Sequence, residues 1–118
     1  MRQQTFTYEA KGQTLVIHLP QEIDHHNCKG LKAETDLLME ENLIRRLVFD
    51  FSHTRFMDSS GIGVLFSRYK QMRASGGTVA YCGAGERVKR LLSMGGLEKL
   101  IEGYEDIETA IKGQEEGT

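Results

Sequence analysis

The chain has 118 residues, 39% hydrophobic and 27% charged, with a net charge of −2. That balance fits one globular domain with a single modest core. Residues 98–118 hold seven acids against two lysines, and residues 1–97 hold thirteen bases against ten acids, scattered and without aromatic neighbours. Such a thin basic surplus argues against nucleic acid as a partner, because duplex binders concentrate their positive charge.

Residues 5–9 and 14–19 are β-prone runs joined by Lys11-Gly12-Gln13, the pattern of a hairpin. Pro20 stops the second run, since it has no N–H to donate to a ladder. A helix is expected over residues 27–41, with Cys28, Leu31, Thr35 and Leu38 inward and Asp24 or Asn27 as its cap. Gly30 lowers its propensity by roughly 1 kcal/mol. Residues 47–51, Leu-Val-Phe-Asp-Phe, read as a strand buried on both faces. The spacing of Ile62, Leu65, Phe66, Tyr69 and Met72 predicts a helix over 59–75 with that apolar face, ended by a left-handed turn at Ser75-Gly76-Gly77.

A strand over 78–82 follows, then a short helix over 85–93 buried through Val88, Leu91 and Leu92 and stopped by Gly95-Gly96. Leu97, Leu100 and Ile101 lead into a last strand or turn, and Ile107, Ala110 and Ile111 face inward from a final helix. Strand and helix alternate from the middle onward, which implies parallel neighbours with right-handed crossovers. The hairpin adds antiparallel pairing, so the fold class is α/β with a mixed central sheet. One domain over residues 1–112 is expected, with a disordered tail over 113–118.

No apolar run approaches the roughly 20 residues that span a bilayer, and Met1-Arg2-Gln3-Gln4 lacks the apolar core of a signal peptide. A cytoplasmic protein with no membrane partner is therefore expected. Cys28 and Cys82 have no paired or metal-like spacing and read as free, partly buried thiols.

The most informative stretch is Phe56-Met57-Asp58-Ser59-Ser60-Gly61-Ile62-Gly63, between a buried strand and an amphipathic helix. Asp58, Ser59 and Ser60 are residue types that cap helix starts. The junction is expected to offer free N–H groups and the positive end of a helix dipole, a setting that tolerates a phosphate on a serine hydroxyl. The bland reading of Asp-Ser-Ser is a cap and nothing more.

Other chemistries have little support. A serine hydrolase elbow is missing, since Met57 stands where its first glycine belongs, and His18, His25, His26 and His53 follow no triad order. His25 and Cys28 alone make no metal site, so no metal is expected. Phosphate-cradling glycine motifs are absent, and Gly83-Ala84-Gly85 is too short to stand for one. No enzyme activity and no cofactor are expected.

The run Phe-Met-Asp-Ser-Ser-Gly-Ile-Gly-Val over 56–64 resembles the motif of the anti-sigma factor antagonists, single-domain members of the STAS superfamily. The resemblance continues through Glu22-Ile23-Asp24-His25-His26, Tyr69-Lys70-Gln71-Met72, Ser75-Gly76-Gly77, Val88-Lys89-Arg90-Leu91-Leu92 and Met94-Gly95-Gly96-Leu97. Relatives commonly carry a glycine where this chain has Gln21. Asp-His-His together with Met-Asp-Ser-Ser-Gly resembles the sporulation members most closely. The resemblance implies a STAS fold with about four helices mainly on one face of the sheet. It implies that the unphosphorylated form binds an anti-sigma factor that is also an ATP-dependent serine kinase, and so releases a sigma factor. Phosphorylation of Ser59 then ends binding, and a serine phosphatase reverses it. Asp24, Asp58, Ser59, Ser60, Gly61 and Ile62 are the partner-binding residues it implies. Two alternatives stand beside it: a STAS scaffold subunit of a stress-sensing assembly, and a STAS module that binds a small molecule or nucleotide.

Overall fold

A computed structural model describes residues 6–113. The tail expected over 113–118 lies, except for Gly113, outside the described residues, as does Thr5 at the start of the first expected strand.

The N-terminal hairpin forms as β1 (Thr7–Lys11) and β2 (Thr14–His18), paired antiparallel. A two-residue strand, β3 (Glu22–Ile23), precedes α1 (Cys28–Glu41). Then come β4 (Arg46–Asp50), a second two-residue strand β5 (Phe56–Met57) and α2 (Ser59–Ala74). The chain finishes with β6 (Thr78–Cys82), α3 (Glu86–Met94), a 3-10 turn at Leu97–Lys99, β7 (Glu102–Tyr104) and α4 (Ile107–Lys112).

Five strands make one sheet in the order β1-β2-β4-β6-β7, parallel everywhere except at the hairpin. Because strand side chains alternate between faces, the apolar runs fill two layers. Leu15, Ile17, Leu47, Phe49 and Val79 point to one face, where Leu31, Val64, Leu65, Met72, Val88 and Leu92 from α1, α2 and α3 cover them. Val16, Val48, Ala80 and Cys82 point to the other, where Ala110, Ile107 and Ile111 of α4 cover them. Three helices therefore lie on one face of the mixed sheet and one on the other. No helix among the described residues is long and apolar enough to cross a membrane.

The buried side of α2 differs from the expected stripe. Gly61, Val64, Leu65, Arg68 and Met72 are buried, whereas Phe66 is 43% exposed and lies stacked on Tyr69. Arg68 occupies the middle of the inner face at 2% exposure, with its guanidinium paired to Asp36 of α1. An arginine reads as a surface residue in a pattern of apolar spacing, and this one rotates the true inner face by about one position. Of the residues that lead into the last strand, Leu97 and Ile101 are buried and Leu100 is 41% exposed. The stop of α2 is as expected: Gly76 has φ +83°, a conformation that glycine takes without strain.

Candidate functional site

Two short strands build the candidate site. β3 and β5 pair in parallel as a separate ladder, with Glu22 beside Phe56 and Ile23 beside Met57. The Asp58 N–H continues the ladder by donating to the Ile23 carbonyl at 3.0 Å. That register sets Asp24, the residue after Ile23, alongside Asp58, the residue after Met57. Strands of two residues carry no periodic signal, so neither was legible in the sequence.

Asp58 is the N-cap of α2, with extended backbone (φ −101°, ψ −176°), and its carboxylate accepts from the Ser60 N–H at 2.8 Å. Its carbonyl accepts from the Gly61 N–H at 3.0 Å. The expected set of free N–H groups is therefore mostly taken. Asp58 itself fills two of them, those of Ser60 and Gly61, while the Ser59 N–H has no protein acceptor among the described residues. Desolvation pulls the Asp58 pKa upward. The Ser60 hydrogen bonds, the His25 backbone N–H and the nearby His25 charge outweigh it, and the net shift is downward.

Ser59 is the first helical residue and is exposed. Ser60 and Ile62 are half-buried. Gly61 faces inward instead: a Cβ there would stand 2.6 Å from Met57 Cγ and Sδ and 3.1 Å from Ile23 Cγ2. Its place is beneath the surface, where it lets α2 sit directly on the β3–β5 ladder. Ile62 lies on the flank toward α3, in reach of Gly95. Two large apolar residues nearby in the chain are exposed: Phe66 on α2, and Met94 at the end of α3, which is 77% exposed.

Asp24 organises the turn before α1. Its carboxylate accepts from the N–H groups of His26 at 2.9 Å and Asn27 at 3.2 Å, and Asn27 Oδ1 accepts from the Asp24 N–H at 3.0 Å. Asn27 is the positional cap of α1 but makes no side-chain cap bond to it, so Asp24 does the local work. Cys28 lies buried beneath this turn. Burial first, then the charges of Asp58 and Asp24, push its thiol pKa up. Asp24, Asp58, Ser59 and Ser60 thus share one rim.

A second cluster escaped the sequence reading. His18 and Asp50 end the adjacent strands β2 and β4 in matched register. His18 Nδ1 lies 2.7 Å from Asp50 Oδ2, and Nε2 lies 3.1 Å from Glu9 Oε2. The signal was available: Leu15-Val16-Ile17-His18 and Leu47-Val48-Phe49-Asp50 are parallel runs of the same pattern. Burial lowers the His18 pKa, but the bonds to Asp50 and Glu9 prevail and raise it. Cys82 donates its S–H to Asp50 at 3.7 Å, and burial with the Asp50 charge pushes that thiol up to about 12, so it stays protonated. Among the described residues no three His, Cys, Asp or Glu side chains are grouped to hold a metal ion. Gly83 and Ala84 border a cavity of about 490 Å³ that also holds Lys89 with Glu98 and Glu105.

The STAS domain family matches residues 5–110, so the chain belongs to the STAS domain family. Within it, an anti-sigma F factor antagonist from Paenibacillus polymyxa is 35% identical over 92 residues, 78% of this chain and 79% of that protein. The fold superposes on the anti-sigma factor antagonist SpoIIAA in its unphosphorylated form with a TM-score of 0.82 at 25% identity, covering 96% of this chain and 97% of that one. The phosphorylated form of the Bacillus cell fate determinant SpoIIAA gives a TM-score of 0.73 at 25% identity, covering 91% and 96%.

Proposed function

We propose that this chain is an anti-sigma factor antagonist switched by phosphorylation of Ser59. The observation that carries the reading is the placement of Ser59. Its hydroxyl is exposed at the first position of α2, on backbone fixed by the Asp58 cap and by the β3–β5 ladder. A kinase thus meets a hydroxyl already held in place. Likeness to SpoIIAA in both phosphorylation states, and to antagonists of anti-sigma F factors, supports the same assignment.

In this reading the unmodified rim of Asp24, Asp58, Ser59 and Ser60, with Ile62 on its flank, docks in the cytoplasm on an anti-sigma factor that is also a serine kinase. Docking frees the sigma factor, of the type that serves sporulation. The Ser59 Oγ then attacks the γ-phosphorus of ATP bound to the kinase, ADP leaves, and the hydroxyl proton passes to a base on the kinase. The new group brings a charge of about −1.5 to −2 to the docking surface. Like charge pressed into an interface costs several kcal/mol, so one modification lowers affinity by orders of magnitude without refolding the chain. A serine phosphatase restores the hydroxyl.

The test is incubation with the anti-sigma factor of the same organism and ATP, followed by intact-mass and fragment analysis. A gain of about 80 Da, one phosphate, confined to Ser59 is expected. The same gain on Ser60, with Ser59 unmodified, refutes the assignment.

A further inference from the structure

Phosphorylation of Ser59 creates a charge problem that the helix start does not solve. The phosphate stands next to Asp58 and, across the β3–β5 register, near Asp24. Helix N-termini usually offset such a group with free N–H donors. Here the Ser60 and Gly61 N–H groups already serve Asp58. What remains is the Ser59 N–H and the helix dipole.

The loop that follows β3 supplies the missing charge. His25 and His26 are both exposed, with ring centroids 5.1 Å apart in an edge-to-face arrangement. The β3–β5 pairing, continued by the Asp58 N–H donating to the Ile23 carbonyl at 3.0 Å, delivers this loop to the start of α2, where the His25 backbone and charge help hold the Asp58 carboxyl below its usual range. We propose that His25, with His26 beside it, is the counter-charge for phosphorylated Ser59, an inference that rests on Ser59 being the phosphoacceptor. The imidazole takes up a proton from solvent when the phosphate is present and holds the modified side chain against the loop after β3. The other ionisable groups around the loop are Asp24 on the loop itself, Asp58 at the start of α2, Cys28 and Lys29 in the first turn of α1, and Arg55 ahead of β5. Lys29 and Arg55 carry fixed charge, whereas histidines change charge near neutral pH. The phosphorylated state is thereby tied to pH.

The experiment is an NMR pH titration of both imidazoles in the labelled full chain, unmodified, phosphorylated by the kinase, and as Ser59→Asp. Phosphorylation is expected to raise the His25 titration midpoint by roughly one unit, the effect of a nearby opposite charge, and Ser59→Asp to raise it by less. In the His25→Gln/His26→Gln double variant, the phosphorus titration of the phosphate should move upward by a similar amount. Both side chains are exposed, and an unchanged amide spectrum will show that the fold is kept. An identical phosphate titration in wild type and double variant overturns the proposal and leaves Lys29 or Arg55 as the counter-charge. Should the kinase leave Ser59 unlabelled, the phosphoacceptor reading fails by itself. The Ser59→Asp titration then decides the histidine role: a midpoint moved by less than about 0.2 unit refutes it.

Discussion

Asp24 separates a structural role from a recognition role. Asp24→Ala removes the acceptor for the His26 and Asn27 N–H groups. Loss of a capping side chain costs about 0.5–2 kcal/mol. The lower half of that range applies, because the Asp24 carbonyl still accepts from Asn27 and Cys28 and the Asn27 amide still donates to the Glu22 carbonyl. For a domain of this size the melting temperature should fall by roughly 2–5 °C. Asp24→Asn keeps an oxygen acceptor in place and removes only the charge, so the melting temperature should stay within about 2 °C of wild type. Binding should behave differently. A hydrogen bond to a charged group contributes about 1.5–3 kcal/mol, so Asp24→Asn should weaken the anti-sigma factor complex by roughly ten- to a hundredfold. Thermal melts and calorimetric titration on the same preparations decide the matter. Wild-type affinity in Asp24→Asn, with Asp24→Ala losing stability and binding in proportion, refutes a recognition role.

Three further expectations concern the frame around the site. Gly61→Ala gains up to about 1 kcal/mol of helix propensity but presses a methyl on Met57 and Ile23, an overpacking that costs about 1–3 kcal/mol; a small net loss in urea unfolding is expected, and a gain contradicts the packing. Asp36→Asn strands the buried Arg68 guanidinium, whose Nε already lacks a partner among the described residues. The cost is roughly 1–3 kcal/mol, below that of a fully buried pair because Asp36 is solvent-facing, and in an Arg68→Met background the same change should cost almost nothing; equal costs in both backgrounds contradict the pairing. His18 and Asp50 give a pH signature. The raised His18 pKa adds stability that is complete below about pH 6.5 and lost as pH rises through the folded value. Burial raises the Asp50 pKa, but the His18 and Ser52 bonds prevail and lower it, so its share is complete above about pH 4 and lost as pH falls through the folded value. The wild-type melting advantage over His18→Gln should therefore be larger at pH 5.5 than at pH 9, and a constant difference contradicts the bridge.

The main sheet was legible because four of its five strands carry five-residue patterns, and α2 because its spacing repeats over four turns. What stayed hidden follows from specific physics. β3 and β5 are too short for alternation to show, and they are the elements that bring Asp24 to Asp58. Phe66 fits the apolar spacing, yet Arg68 takes the buried position because Asp36 on α1 supplies its counter-charge. The cap residues announced a helix start, but which N–H groups Asp58 would consume depended on its extended backbone. Asp58 and Ser59 were recognisable as a pair from local sequence; the approach of the loop after β3 to them was not, since it depends on pairing across 34 residues of chain.

The central claim is that the state of Ser59 decides whether this chain displaces a sigma factor, and a competition assay reads it directly. The preformed complex of sigma factor and anti-sigma factor is mixed with unmodified chain, Ser59→Ala or the Ser59-phosphorylated chain, and free sigma factor is measured. Unmodified chain and Ser59→Ala should release it to similar extents, while the phosphorylated chain should leave the complex intact. Equal release by the phosphorylated and unmodified chains, or no release by either, contradicts the account.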